Sequence, residues 1–317
     1  MGLFSRKSQP APPSPAAPAP PQPAAQPAEP TVVEPKGKNN YLIVILDSCR
    51  YDTFMEAAPE FVKHLGEVER RWSYASWTAP SHYNLLTGLL PHHSPSHVYA
   101  SEYYKKDFLR YNDRLGSDGI EFKKMVPEMY LPSFLRRKMG FSTHAMVSLP
   151  VLNPKTTINR DFDSFELMAK HNDMRAMLPK LHFSTERPSF HLLNVGETHY
   201  PYALPDEDPK EWPRISGVHG VFKHLDDHVV GGKLVEDEKE EKFFDQDKLD
   251  QLRQRQIDTV KYIDGVLLEL FDRVPENTYI TVTSDHGELF GEEGYFGHGP
   301  INHEKVYEVP FVEGKIR

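Results

Sequence analysis

The chain has 317 residues, of which 38% are hydrophobic, so it is long enough to bury one sizeable core. Its net charge of −9 argues against nucleic acid as a partner, because such binding depends on clustered Lys and Arg. The one cysteine, Cys49, excludes an intramolecular disulfide, and no apolar run reaches the roughly 18 residues of a transmembrane span, so we expect a cytoplasmic protein.

The first 38 residues differ in composition from the rest of the chain. They hold 11 of the 28 prolines, many beside alanine, and few large apolar side chains. Such a stretch cannot bury enough apolar surface to offset the entropy of ordering it. We therefore predict a disordered Pro/Ala-rich tail over residues 1–38, which is a candidate site for a binding partner, and one domain over residues 39–317.

Three apolar runs end in polar residues. They are YLIVILDS at 41–48, FHLLNVGETHYPY at 190–202 and TYITVTSDHGE at 278–288. A continuous apolar run of this length is typical of a parallel strand that is buried on both faces. We therefore predict three buried strands, each with polar side chains at its carboxyl end.

Helical patterns lie between these runs. PSFLRRKM precedes the short apolar stretch STHAMVSL, and a longer helix is predicted over residues 248–274. The apolar side chains of the longer helix recur at helical spacing: Leu252, Ile257, Val260, Ile263, Val266, Leu267 and Leu270. Alternating strands and helices predict a layered α/β fold. The charged stretch 224–248 is predicted to be a solvated loop, and the alternative is a mobile lid over the site.

Metal-ligand residue types follow two of the strands. Asp47 ends the first run, and the adjacent Asp285 and His286 end the third. Open α/β sheets bind ligands at the carboxyl ends of their strands. An isolated Asp or His is more often a cap or a surface group, but two strand ends in one chain together suggest a metal site.

The stretch WTAPSHYNLLTGLLPHH at 77–93 resembles the sulfatase signature, with Thr78 at the position that becomes formylglycine in sulfatases. The other family landmarks follow in order: ILDSCRYD, NVGETHYPY, IDTVKYIDGVLLEL and TSDHGELFGEEGYFGHGPINHEKVYEVPF. The resemblance runs from about residue 40 to the C-terminus and is to the alkaline phosphatase superfamily. It implies a three-layer α/β/α sandwich with a mostly parallel central sheet.

The resemblance also implies the site. Asp47, Asp285, His286 and Thr78 would hold one divalent metal ion, which lowers the pKa of the Thr78 hydroxyl and makes it a nucleophile. Its predicted substrates are small anionic esters. An alternative for Thr78 is the N-cap of a helix that begins near Pro80.

Four further residues are assigned roles near this site. His199 and His298 resemble the family's substrate-contacting basic positions, where they would bind or protonate the transferring ester. Arg50 is predicted to orient Asp47 through a charge-assisted hydrogen bond, and His82 to support the ligands from behind. Three other histidines follow no ligand spacing and are predicted to lie at the surface or behind the ligands: His92, His93 and His97.

Departures from the family pattern narrow the chemistry. Threonine cannot be oxidised to formylglycine, and a threonine at this position resembles the phosphotransferase and phosphodiesterase branches of the superfamily. The resemblance thus implies a hydrolase or transferase of phosphate mono- or diesters; the alternatives are a hydrolase of sulfate or phosphonate esters and a non-catalytic metal-binding protein. Ser48 stands where sulfatases place a second acid, and with one oxygen ligand fewer Ca²⁺ is less favoured than Mn²⁺ or Zn²⁺. We predict Mn²⁺, with Zn²⁺, Ca²⁺ or Mg²⁺ as alternatives. The sequence ends soon after VPF, so the usual C-terminal subdomain is not expected. A two-metal site using Glu197 does not match the spacing.

Overall fold

The structure is a computed structural model, and it describes residues 34–93, 100–121, 129–212, 215, 229–230, 233–234 and 245–316. His97, most of the predicted loop at 224–248 and the predicted tail up to residue 33 lie outside the described residues. Within the rest of the predicted tail, the backbone N–H of Lys36 donates to Met139 O at 3.0 Å. The division into tail and domain stays a prediction.

The core of the fold is a seven-stranded sheet. Its strands are β1 Asn40–Leu46, β2 Glu69–Trp72, β3 Ser142–Val147, β4 Ser164–Leu167, β5 Ser189–Val195, β8 Thr278–Thr283 and β11 Glu308–Lys315. Their order across the sheet is β2-β11-β8-β1-β5-β3-β4. Strands β8, β1, β5, β3 and β4 run parallel, and β11 is antiparallel to both of its neighbours. Two short antiparallel pairs are β6 Val229–Val230 with β7 Lys233–Leu234, and β9 Leu289–Phe290 with β10 Phe296–Gly297.

Seven α-helices are described. They are α1 Tyr51–Ala57, α2 Thr78–Leu86, α3 Ala100–Leu109, α4 Tyr111–Leu115, α5 Leu131–Lys138, α6 Gln246–Phe271 and α7 Glu304–Tyr307. Short 3₁₀ helices cover Glu60–His64, Pro150–Leu152, Thr157–Asn159, Met174–Lys180 and Glu292–Gly294. The long helix begins two residues earlier than predicted, because the Asp245 side chain caps it by accepting a hydrogen bond from Asp247 N. Among the described helices, none has both the length and the apolar character that a membrane span requires.

Helices cover both faces of the sheet. One face of β1, carrying Leu42, Val44 and Leu46, packs with the predicted apolar stripe of α6 in one core cluster. The other face, carrying Tyr41 and Ile43, belongs to a second cluster that includes residues of α2, α4 and α5. All seven residues of β1 are buried, which explains why its sequence is continuously apolar rather than alternating. The predicted three-layer α/β/α sandwich with a mostly parallel sheet is confirmed.

A buried group of charges ties α4 to the antiparallel edge of the sheet. The Arg114 side chain is fully buried; its Nε lies 2.9 Å from Glu313 Oε2 on β11, and its Nη2 lies 3.3 Å from Asp107 Oδ1 on α3. Burying this guanidinium is costly unless its donors are paired, and here two carboxylates accept them. These interactions hold the helices on this face against β11.

Candidate active site

Three segments that are distant in sequence meet at the carboxyl ends of β1 and β8. Asp47 follows β1 directly, and Asp285 and His286 follow β8, its parallel neighbour. Thr78 is the first residue of α2, and its side chain is buried beside them. The register of β1 with β8 places the two strand ends side by side, so the sequence grouping of Asp47 with Asp285 and His286 corresponds to a real cluster.

The three side chains offer ligand atoms that converge. One atom each from Asp47, Asp285 and His286 lies within 4.8 Å of the other two, and all three residues are buried. His286 Nδ1 lies 2.9 Å from the carbonyl oxygen of Gly287, which can only accept. Nδ1 therefore carries the proton, and the Nε2 lone pair points to the cluster, as a metal-ligating imidazole requires.

Thr78 is within hydrogen-bond distance of two of these residues. Its Oγ1 lies 3.4 Å from Asp47 Oδ1 and 3.3 Å from His286 Nε2. The N-cap of α2 is Trp77, and Thr78 is the first helical residue, so the alternative that Thr78 is the N-cap was wrong. As the first residue of a nine-residue helix, the Thr78 oxygen lies at the positive end of the helix dipole, which favours negative charge there.

The electrostatics of the cluster call for a cation. Burial raises the pKa of Asp285 well above its ordinary value, and the nearby Asp47 carboxylate adds to this effect. Burial opposes the ionisation of Asp47 too, but the imidazoles of His199, His286 and His82 hold the Asp47 pKa below its usual value. Burial and the neighbouring His298 lower the pKa of His286, which keeps the ring neutral. The two carboxylates therefore cannot both be ionised at little cost unless positive charge lies beside them, and a bound cation would supply it.

The donor set fits a divalent metal ion. Asp285 Oδ2 is buried and has no hydrogen-bond partner among the described residues, although it lies 3.4 Å from His286 Nε2. Two acceptor atoms at this distance repel each other unless a proton or a cation lies between them. Two carboxylates, one imidazole and one hydroxyl are ligands that a transition metal accepts. The residues that would hold it are Asp47, Asp285, His286 and Thr78.

Side chains behind the ligands fix their orientation. Asn194, at the end of β5, donates from Nδ2 to Asp47 Oδ2 at 2.7 Å. The Oδ1 of Asp285 accepts from Ser48 N at 3.1 Å and from His286 N at 3.0 Å, which leaves Oδ2 for the metal. His82 Nδ1 donates to Thr78 O at 2.9 Å and lies 3.6 Å from Asp285 Oδ2. The structure thus places His82 directly behind Thr78 and Asp285.

Arg50 does not act as the sequence prediction proposed. Its guanidinium donates twice to Asp52, at 2.8 and 2.6 Å, and once to Glu292 at 2.6 Å. The hydrogen bonds that orient Asp47 come from Asn194 and from Ser48 Oγ instead. The prediction that Arg50 orients Asp47 was wrong, because two closer carboxylates occupy the guanidinium.

His199 and His298 lie next to the metal ligands. The His298 ring is centred 4.3 Å from the His286 ring and 5.4 Å from the His199 ring. Glu288 accepts from His298 Nδ1 at 3.0 Å and, through its other oxygen, from the hydroxyl of Tyr202. Burial acts to lower the pKa of His298, but the hydrogen bond and charge of Glu288 raise it above its ordinary value. The His298 ring therefore lies beside the cluster with its Nδ1 held by Glu288.

The other histidines and Glu197 stand apart from the ligand cluster. His92 packs against Tyr74, with ring centres 4.6 Å apart, and His93 pairs with Glu69 at 2.8 Å. Glu197 is fully buried and accepts from Met174 N at 2.6 Å. Burial raises the pKa of Glu197 to about 7. Among the described residues, the side chains that converge as possible metal ligands are those of Asp47, Asp285 and His286. The described residues therefore give no support to a second metal site at Glu197.

Sequence reasoning missed Asn194 and Glu288. Asn194 interrupts the apolar run of β5, and a polar residue inside a buried strand is a signal that it has a specific partner. Glu288 lies two residues after His286 in the segment TSDHGELF, but its hydrogen bond with His298 depends on the turn formed by β9 and β10. That turn has no sequence pattern that we recognised.

A family comparison decides the assignment. The model of the family described as Sulfatase matches residues 39–312. This chain belongs to the sulfatase family. Sulfatase-family members are typically metal-dependent, and the Asp47, Asp285 and His286 cluster is consistent with that property. Among curated proteins, none matches the chain significantly.

Solved structures agree on the fold. The C-terminal periplasmic domain of EcEptC from Escherichia coli superposes with a TM-score of 0.51 at 13% identity, covering 89% of this chain and 73% of that one. BT1596, a 2-O GAG sulfatase, gives a TM-score of 0.50 at 14% identity, with coverage of 88% and 64%. The periplasmic domain of the phosphoethanolamine transferase EptC from Campylobacter jejuni gives 0.49 at 14% identity, with coverage of 88% and 80%. At such identities the likeness to these structures concerns the fold alone.

Proposed function

We propose that this protein is a metal-dependent hydrolase or transferase of phosphate mono- or diesters that uses Thr78 as its nucleophile. The observation that carries the proposal is the position of Thr78 Oγ1, 3.4 Å from Asp47 Oδ1 and 3.3 Å from His286 Nε2, within the group that also contains Asp285. A hydroxyl placed among the ligand atoms would lie beside the bound cation, which is the position that activates a nucleophile. The resident threonine favours phosphate over sulfate esters, because it cannot become formylglycine.

A divalent cation, when bound, lowers the pKa of a neighbouring hydroxyl and balances the negative charge of the transferring phosphoryl group. The chain supplies the rest. Asp47 Oδ1 accepts the hydrogen bond of Thr78 Oγ1 and so orients the hydroxyl. Asn194 and Ser48 hold the Asp47 carboxylate, and Gly287 O holds His286 with its lone pair facing Thr78.

The reaction has two halves. In the first, the Thr78 hydroxyl loses its proton to solvent and its oxygen forms a bond to phosphorus while the bond from phosphorus to the alcohol oxygen breaks, and His298 gives its proton to the departing alcohol. In the second, water or an acceptor alcohol gives a proton to His298 and attacks phosphorus, the bond from phosphorus to the Thr78 oxygen breaks, and that oxygen takes up a proton from solvent. Glu288 keeps Nδ1 of His298 as a donor, so Nε2 is the nitrogen available for proton transfer.

We propose Mn²⁺ as the metal, followed by Zn²⁺. The set contains a neutral imidazole, which suits transition metals better than Ca²⁺ or Mg²⁺. Ser48, where a second acid would add an oxygen ligand, donates instead to Asp47 at 3.2 Å. Calcium prefers roughly six to eight oxygen ligands, and this cluster supplies fewer.

The test is a panel of aryl phosphate monoesters, phosphodiesters and sulfate esters, assayed with added Mn²⁺, Zn²⁺ or Ca²⁺. We expect Mn²⁺-dependent release of aryl alcohol from a phosphate ester. Thr78→Ala should lose at least about 1,000-fold in kcat, because it removes the nucleophile, whereas Thr78→Ser keeps a hydroxyl and retains turnover. Sulfate turnover alone would favour the sulfatase-like alternative. Wild-type turnover by Thr78→Ala would exclude Thr78 as the nucleophile, and no turnover with no bound metal would favour a binding protein.

A further inference from the structure

Gln256 is a buried polar residue on the apolar face of α6. It is 0% exposed, and it lies between Leu252 and Val260, where the helical spacing of the stripe places a core residue. An unpaired amide in this position would be costly. The partners of Gln256 therefore show why a polar side chain occupies it.

Four polar groups contact the Gln256 amide. Nε2 donates to Ser48 O at 2.9 Å and to Thr198 O at 3.0 Å. Oε1 accepts from Thr53 Oγ1 at 2.7 Å and from Arg50 N at 3.4 Å. The orientation of the amide is determined, because the two carbonyls can only accept and the backbone N–H can only donate. Both ends of the amide are thus fully used.

These contacts join two loops of the site. Ser48 follows the ligand Asp47, and its N–H donates to the second carboxylate ligand, Asp285. Thr198 precedes His199, and its hydroxyl donates to the carbonyl oxygen of Asp47 at 2.7 Å. The Gln256 amide bridges the loops that follow β1 and β5, which carry a metal ligand and a substrate-contacting histidine.

The loop after β1 needs such support. Ser48 has a φ of 61°, in the left-handed region that a non-glycine residue rarely adopts. A strained residue of this kind persists where its surroundings fix it, and Gln256 contacts the backbone on both sides, at Ser48 O and Arg50 N. Release of this loop would move Asp47 and the N–H that orients Asp285.

We propose that Gln256 is a positioning residue, which holds the backbone that carries Asp47 and the Ser48 N–H bonded to Asp285, and thereby sets the affinity of the site for its metal. This inference rests on the proposed function only in that a divalent metal binds at Asp47, Asp285 and His286. Changes to residues that orient ligands typically lower metal affinity by about 10- to 100-fold. We expect a loss of at least about tenfold here, because four hydrogen bonds are lost together.

The experiment measures Mn²⁺ binding to the full chain by titration calorimetry, with thermal unfolding of the metal-free protein as a second reading. Gln256→Met keeps the volume and removes all four hydrogen bonds, and Gln256→Glu replaces the donor by an acceptor. The matched control is Thr259→Val, which removes the buried hydrogen bond from Thr259 Oγ1 to the main-chain carbonyl oxygen of Gln256, at 2.8 Å, and leaves the four bonds of the Gln256 side chain in place. Both Gln256 variants should bind Mn²⁺ at least tenfold more weakly, and the control within about twofold of wild type.

Wild-type affinity in Gln256→Met would overturn the proposal, and so would an equal loss in Thr259→Val. If neither Gln256 variant folds, the residue serves the fold rather than the site, and the proposal is likewise overturned. Absence of Mn²⁺ binding by the wild-type protein is a different result, because it contradicts the proposed function itself.

Discussion

Asp285→Asn is expected to stabilise the metal-free protein while it weakens metal binding. An asparagine keeps Oδ1 as the acceptor for Ser48 N and His286 N. Its Nδ2 then replaces Oδ2, which in the wild-type protein lies 3.4 Å from the His286 Nε2 lone pair, so a contact that is repulsive whenever Asp285 is ionised becomes a hydrogen bond at neutral pH. The substitution also removes the negative charge that opposes Asp47.

The size of the gain follows from the separation of the carboxylates. The ligand atoms of Asp47 and Asp285 lie no more than 4.8 Å apart, and two unit charges at that limit repel by roughly 3.5 kcal/mol at an effective dielectric constant of about 20. Proton uptake by Asp285 limits this cost, so we expect the variant to gain about 1–3 kcal/mol in the free energy of unfolding. Because the pKa of Asp285 is raised in the folded state, the carboxyl costs stability only above its unfolded pKa of about 4. The gain should therefore vanish below pH ~4 and grow toward neutral pH.

The assay is urea unfolding in EDTA and again with Mn²⁺. At Mn²⁺ concentrations about 100-fold above Kd, the wild-type protein should gain about 2.7 kcal/mol, and Asp285→Asn should gain far less. Asp52→Asn is the control, and it should lower the free energy of unfolding rather than raise it. Asp52 accepts two hydrogen bonds from Arg50, so its replacement should destabilise the protein. An Asp285→Asn variant that unfolds at lower urea than wild type in EDTA would refute the reasoning, since the two carboxylates would then not be opposed.

Two further variants test the proton donor and the buried charges. Glu288→Gln removes the charge that holds His298, so kcat should fall about 10- to 100-fold for esters with poor leaving groups and much less for activated aryl esters. An equal loss across a leaving-group series would contradict that role. Arg114→Met removes one guanidinium partner from each of Glu313 and Asp107, which keep Arg110 at 2.5 Å and Arg71 at 3.8 Å, and should cost about 1–3 kcal/mol in urea unfolding at unchanged kcat per folded molecule. A change in kcat without a change in stability would be the contrary result.

The sequence predicted the sheet because burial leaves a simple pattern. β1 is covered on both faces, so its residues are continuously apolar, and the polar residue that ends the run marks the ligand-binding edge. The grouping of Asp47 with Asp285 and His286 follows from the same reasoning, since parallel neighbours end at one edge of the sheet. Thr78 was found through family resemblance, and its helix position was misjudged by one residue because Trp77 is the N-cap.

The residues that orient the ligands could not be predicted in this way. Arg50 was assigned to Asp47 from sequence proximity, but Glu292, which competes for it, is distant in sequence and is brought close by the turn after β9. Gln256 lies within the predicted helix, where the spacing marks it only as a core position. Whether such a side chain supports a site depends on contacts between the helix and distant loops, such as the 3.0 Å hydrogen bond from Gln256 to Thr198 O in the loop after β5. Helix periodicity does not predict such contacts.

Anomalous diffraction from crystals soaked in Mn²⁺ tests the central claim most directly. The account predicts one strong peak bonded to carboxylate oxygens of Asp47 and Asp285 and to Nε2 of His286, with Thr78 Oγ1 in contact. A soak that also contains vanadate should add density on the same oxygen of Thr78. Crystals in which Mn²⁺ binds elsewhere, or in which these four side chains stay in place without an ion between them, would contradict the account.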